Sequence, residues 1–215
     1  MNIETKRAKK PLQARALKTQ QGLLDAFENL LVQKSFLEIT VAELAQAANL
    51  TTGAIYRRFR DKNDVLQSAF ERFHQRAEAF YVAQDEAYPD TMTDRQVLET
   101  FFSSVMHNTL DNIHLMRAAN SLNDEESFKL MISARDIAAN WLANRLRSSA
   151  YEEKELLAKC RFIVRIATAT FRDTFLSGRR AVTRRKGYIA AHEKELTVLN
   201  GELVDMAFDF LRLRK

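Results

Sequence analysis

The chain has 215 residues with only five glycines and two prolines, a composition that favours an all-helical protein large enough to bury a substantial core. No apolar run approaches the roughly 18 to 20 residues of a membrane span, no signal-peptide core follows the basic start, and a lone Cys160 excludes an intramolecular disulfide, so a soluble, cytoplasmic protein is expected. All of the net charge of +5 belongs to residues 1–76, which hold 13 Lys/Arg against 8 Asp/Glu, while the remainder holds 20 of each; that asymmetry points to nucleic acid, where counterion release drives affinity.

Residues 1–14 carry Lys6, Arg7, Lys9, Lys10 and Pro11 with little to bury and are expected to form a basic flexible arm. Residues 15–33 follow as an amphipathic helix with Leu23, Ala26, Phe27, Leu30 and Leu31 on one stripe. Thr40 with Glu43 three residues on makes a capping box, and Val41, Leu44, Ala45 and Ala48 repeat at helical spacing behind it. Asn49, tolerant of the left-handed conformation that helix ends use, closes that helix. Thr51 then caps a second one, in which Ile55 and Phe59 face inward and Tyr56, Arg57 and Arg58 face out. Helix, short turn and helix, with a small first turn at Thr52-Gly53-Ala54 and exposed basic and aromatic side chains, is a helix-turn-helix suited to DNA. Arginine forks onto phosphate or guanine, tyrosine reaches either, and a slim first turn admits the backbone to the groove.

Residues 19–66 resemble the N-terminal domain of the TetR family of bacterial transcriptional regulators. The matching positions are Leu23 to Phe27, Phe36, Thr40-Val41, Leu44-Ala45, Ala48 to Thr51, Gly53 to Tyr56, Phe59, Lys62 and Leu66, with Ser35 and Asn49 standing where the family usually has glycine. Both replacements suit turns. The resemblance implies a palindromic operator, a homodimer and, for Lys62, a phosphate contact. Thr52, Gly53, Tyr56 and Arg57 are the candidates for base or close groove contacts, and Thr40, Thr51, Arg58 and Lys62 for phosphates.

Residues 62–83 form a connector helix out of the first domain, which is bounded at residue 76. Residues 77–215 carry no matched motif and are expected to be a helical ligand-binding and dimerisation domain. A loop containing Pro89 leads to a helix over 94–113, a short segment over 115–122, and a helix reaching residue 149. Arg135 lies on the apolar stripe of that helix, where it either snorkels, pairs with a carboxylate such as Asp173, or meets a polar or anionic ligand. Phe102, Met106, Met116, Phe128, Met131, Arg135, Trp141 and Phe171 are the candidate pocket residues, apolar with one polar group as ligand sites commonly are. Two closing helices, over 152–176 and 193–213, are apolar on two sides and so must bury both. The second side, Phe162, Ile166, Ala169 and Leu176 with Val204, Phe208 and Leu211, is the candidate dimer face of a four-helix bundle. Residues 177–192, rich in arginine, are expected to be a solvated loop.

No nucleophile elbow, phosphate loop, metal signature or cofactor motif is present. His107 and His114 are about 10 Å apart at the helical rise, too far to chelate one ion, and the four histidines are expected at the surface. The expectation is therefore an all-α regulator, not an enzyme: double-stranded DNA bound as a palindromic operator, a small-molecule effector that releases it, and a homodimer. Its rivals are a sequence-tolerant DNA-binding protein and a helical carrier or enzyme.

Overall fold

The computed structural model describes residues 4–89, 91–122, 125–176 and 185–213. Every regular element among them is helical: α1 (Glu4–Gln33), one 3-10 turn (Phe36–Glu38), α2 (Val41–Ala47), α3 (Thr52–Tyr56), α4 (Lys62–Ala87), α5 (Asp94–Asp111), α6 (Ile113–Leu122), α7 (Glu125–Arg145), α8 (Glu153–Leu176) and α9 (Arg185–Phe210). None of the described helices is long and apolar enough to cross a membrane.

Several boundaries differ from the sequence expectation. The expected arm is helical from Glu4 onward, because Lys, Arg, Ala, Leu and Gln, which fill that stretch, are good helix formers despite the missing N–H of Pro11. The helix expected over 94–113 breaks at Asn112, whose side-chain amide donates to the Asn108 carbonyl at 2.8 Å, and α6 starts afresh. Residues 185–192 are helical rather than loop, with one non-helical residue at His192 (φ −127, ψ 18). Tertiary contact explains this: Tyr188 packs edge-on against Phe175 and stacks on His192. The rest of that expected loop, residues 177–184, lies outside the described residues.

Two apolar clusters organise the helices. The first joins Leu23 and Phe27 of α1, Phe36, Leu44, Ile55 and Phe59 to Val65, Leu66, Phe70 and Phe73 of α4. It also takes in Leu115, Ala118 and Ala119 of α6 and Ala134 of α7, so α6 is packed against the N-terminal helices although it follows them by some fifty residues. The second cluster joins α5, α7, α8 and α9 around Phe101, Phe102, Trp141, Leu142, Ile163, Phe171 and Leu211. Cys160 is part of it, and burial pushes its thiol pKa up to about 12, so it is a packing residue. Asp94 ties the C-terminal end of α7 to α5: its carboxylate accepts from the backbone N–H of Arg147 and of Ser148, both at 2.8 Å.

Candidate functional site

The helix-turn-helix is built from local chemistry. Thr40 Oγ1 accepts from the Glu43 N–H at 3.2 Å and the Thr40 N–H donates to Glu43 Oε2 at 3.0 Å, completing the capping box. Lys34 pairs with the other oxygen of Glu43 at 2.5 Å; that contact, with the Thr40 bonds, holds the Glu43 carboxyl well below the usual carboxylate range. Asn49 turns the chain at φ 54, and Leu50 N–H returns to the Ala45 carbonyl at 2.8 Å. Thr51 Oγ1 accepts from Ala54 N–H at 3.1 Å to start α3. Ser35, for its part, acts through its side chain: it caps the 3-10 turn in a box with Glu38.

Thr52, Gly53, Tyr56, Arg57 and Arg58 are all exposed, Tyr56 by 57%. A methyl group added at Gly53 would meet nothing within 4 Å, and its φ is not positive. Nothing inside the chain therefore requires glycine at this position. The Thr51 hydroxyl donates to no acceptor among the described residues, whereas the Thr40 hydroxyl donates to Glu43 Oε2 at 3.0 Å. Lys62, for which the resemblance implies a phosphate contact, donates within the chain: its ammonium reaches the carbonyls of Phe36 (2.8 Å), Leu37 (3.2 Å) and Ile39 (2.9 Å). An ammonium has three protons, enough for the three carbonyls that the 3-10 turn and its cap residue Ile39 present beside the start of α4. Burial lowers its pKa accordingly.

A polar junction links α1, α4 and α6. Glu28 Oε1 accepts from Arg72 Nη2 at 2.7 Å and from Arg76 at 3.3 Å, and Arg72 also reaches Asp25 at 2.6 Å. Arg76 extends to Asn112 at 3.2 Å. His114 is 7% exposed, contrary to the surface position expected of it. Its Nε2 stands 3.4 Å from Glu28 Oε2, within ion-pair reach but without a well-formed hydrogen bond. It is buried because α6 packs into the first cluster. Burial raises the Glu28 pKa, but His114 and the two guanidiniums outweigh it and bring the carboxyl to about 2.

A cavity of about 50 Å³ lies between α4, α5, α6, α7 and α8, lined by Phe73, Ala77, Tyr81, Val105, Asn108, Thr109, Met116, Ala134, Arg135, Ala138, Val164, Thr168 and Arg172. Of the expected pocket residues, Met116 and Arg135 line it. Phe102, Met106, Trp141 and Phe171 do not; they are 8% exposed or less and pack within the second cluster. The side chains of Phe128 and Met131 lie outside the described residues. Tyr81, Asn108, Thr168 and Arg172 were missed. Three of them lie on periodic faces, since Phe73, Ala77 and Tyr81 on α4 and Val164, Thr168 and Arg172 on α8 are each four residues apart, but spacing leaves open which such face lines a void. Arg135 has no hydrogen-bond or ion-pair partner among the described residues, Asp173 included; burial, with the charges of Arg172 and Arg165, lowers its pKa. Burial raises that of Tyr81, which stays a hydroxyl donor.

The expected dimer face is half corrected. Phe162 (46% exposed) and Ala169 of α8 are exposed and Ile166 and Leu176 half-buried, but Val204, Phe208 and Leu211 are 1%, 8% and 0% exposed, facing their own core. The outer stripe of α9 is instead Val198, Met206 and Phe210, the last packed on Phe162 at 5.4 Å between ring centroids. Both stripes of α9 are apolar, so periodicity could not say which one turns inward.

Residues 23–69 match the family model described as bacterial regulatory proteins, tetR family. The HTH-type transcriptional regulator AcrR of Shigella flexneri is 38% identical over 56 residues, which is 26% of this chain and 26% of that protein. The matched part is thus about a quarter of either chain. Among solved structures, a TetR-family regulator from Rhodococcus sp. superposes with a TM-score of 0.62 at 12% identity, covering 88% of this chain and 98% of its own. One from Streptomyces coelicolor gives 0.61 at 18% identity, covering 89% of each. At such identities the likeness concerns the fold.

Proposed function

We propose that this chain, whose residues 23–69 match the tetR-family model and resemble AcrR, is a TetR-family regulator: a homodimeric repressor of a palindromic operator, released by a small-molecule effector. The observation that carries DNA reading is the exposed face of α3. Tyr56 and Arg57 extend into solvent, and Gly53 has no internal reason to be glycine. A backbone that must approach a groove closely supplies such a reason. Thr52, Gly53, Tyr56 and Arg57 are assigned to groove contacts, and Thr51 and Arg58 to phosphates.

Residues 15–76 are proposed as the DNA-binding domain and 77–215 as the effector and dimerisation domain, joined through α4 and α6. The dimer face is proposed to be Phe162, Ile166 and Ala169 with Val198, Met206 and Phe210, apolar side chains that the chain itself leaves exposed or, at Ile166, half-buried. Two copies would then set their α3 helices about 34 Å apart, or a multiple of a turn, to enter successive major grooves.

Effector action is proposed to run through α4. A cavity of about 50 Å³ is far below the roughly 300 Å³ at which ligand pockets begin, so an effector must expand it. Phe73 and Ala77 line the cavity and also belong to the first cluster. The same helix holds α1 through Arg72, Arg76 and Glu28 and the 3-10 turn through Lys62. Displacing α4 thus alters the seating of the helix-turn-helix, and a differential affinity of about 1 to 3 kcal/mol is the usual coupling.

The test starts with selection of bound sites from a random duplex library, expected to yield one palindrome. Tyr56→Ala and Arg57→Ala should each weaken that site by about tenfold or more, and Gly53→Ala should weaken it without lowering the melting temperature. Parental affinity in all three variants, or selection without a consensus, would defeat the assignment and favour a sequence-tolerant DNA-binding protein.

A further inference from the structure

The cavity between α4, α7 and α8 has a charge pattern that core packing does not explain. Arg135 and Arg172 both line it, Arg165 is near enough to repel Arg135, and no aspartate or glutamate is among its lining residues. Neither Arg135 nor Arg172 has a hydrogen-bond or ion-pair partner among the described residues. By contrast, Arg72 between α1 and α4 has Asp25 and Glu28, and Arg161 between α7 and α8 has Asp136. An unpaired, partly buried guanidinium is unfavourable, and two beside one another are more so. The remaining polar lining adds donors rather than countercharge, among them the Tyr81 hydroxyl and the Asn108 amide, while Phe73, Ala77, Val105, Met116, Ala134, Ala138 and Val164 make the walls apolar.

Resting on the effector role proposed above for this cavity, we infer that the effector is an organic anion: an apolar body carrying a carboxylate or a phosphate group, which Arg135 and Arg172 grip from α7 and α8. Both head groups match the guanidinium fork, which binds either through paired N–H bonds. The anion supplies the missing countercharge, and seating its apolar body between α4 and α7 is what enlarges the cavity.

The test is calorimetric titration of the full-length protein with four probes of one chain length: octanoate, octyl phosphate, octanol and octylammonium. At least one of the two anions should bind about tenfold or more tightly than octanol, with octylammonium the weakest; which anion leads distinguishes carboxylate from phosphate recognition. Arg135→Gln and Arg172→Gln, on different helices so that one misfolded variant does not end the test, should each remove at least tenfold of that preference. Arg135→Lys should keep part of it. Equal or absent binding of all four probes by the parent, or an unchanged preference in the glutamine variants, overturns the inference. A DNA-release assay with the same probes separates this from the effector reading. An anion that binds at these arginines without releasing DNA leaves the inference standing and defeats the effector role. Release by octanol while neither anion binds does the opposite.

Discussion

The junction at Glu28 and the cavity at Arg135 are both built from arginines held between helices, yet they are opposites. In the junction, the guanidiniums of Arg72 and Arg76 converge on one carboxylate, and at the start of the same helix the ammonium of Lys62 is satisfied by three carbonyls. In the cavity, Arg135 and Arg172 repel each other and meet no acid among the described residues. Matched cations stabilise the arrangement they are in. Unmatched ones oppose it, and they belong where something else is to bind.

The sharpest way to break this contrast is at Glu28. Its carboxyl falls from 4.5 to about 2 on folding, which corresponds to about 3 kcal/mol of stability at neutral pH. Because the folded pKa is the lower one, that contribution is complete above pH 4.5 and disappears as pH falls towards 2. Glu28→Gln should therefore lose about 3 kcal/mol in urea unfolding at pH 7 and show a flatter stability profile between those limits. An unchanged profile would mean that the junction contributes nothing.

Lys62→Met comes next. Loss of three hydrogen bonds to the 3-10 turn should lower stability by about 2 kcal/mol, while the salt dependence of DNA binding stays as in the parent. A phosphate-binding lysine behaves differently: its removal reduces the salt slope by about one. A reduced slope with unchanged stability would restore the phosphate role to this residue.

The smallest effect should have the reverse sign. Arg135→Gln removes an unmatched charge and should raise the stability of the ligand-free protein, by up to about 1 kcal/mol, in the same unfolding assay. If it destabilised the protein as Glu28→Gln does, the cavity arginines would be ordinary packing residues and the contrast would collapse.

The helix-turn-helix was legible because its signals are local. Thr40 with Glu43, Asn49 and Thr51 determine caps and turn within a few residues of themselves, and the structure realises each as a hydrogen bond or a left-handed φ. Charge partition, too, is a property of the chain alone. The cavity was legible only at Arg135 and Met116. Its other polar lining comes from α4, α5 and α8, and only the packing of those helices determines which apolar stripe faces a void and which fills a core.

Two decisions belonged wholly to tertiary structure. One was the inward stripe of α9: Val204, Phe208 and Leu211 turn to the core and Val198, Met206 and Phe210 do not, a choice between two apolar faces that periodicity leaves open. The other was the task of Lys62, whose three carbonyl partners lie more than twenty residues earlier in the chain. Amino-acid sequence alone determines caps, turns, amphipathic stripes and the sign of the charge, since these depend on neighbours along the chain. Which stripe is covered, and whether a cation meets an acceptor, depends on residues that only folding brings within a few ångströms.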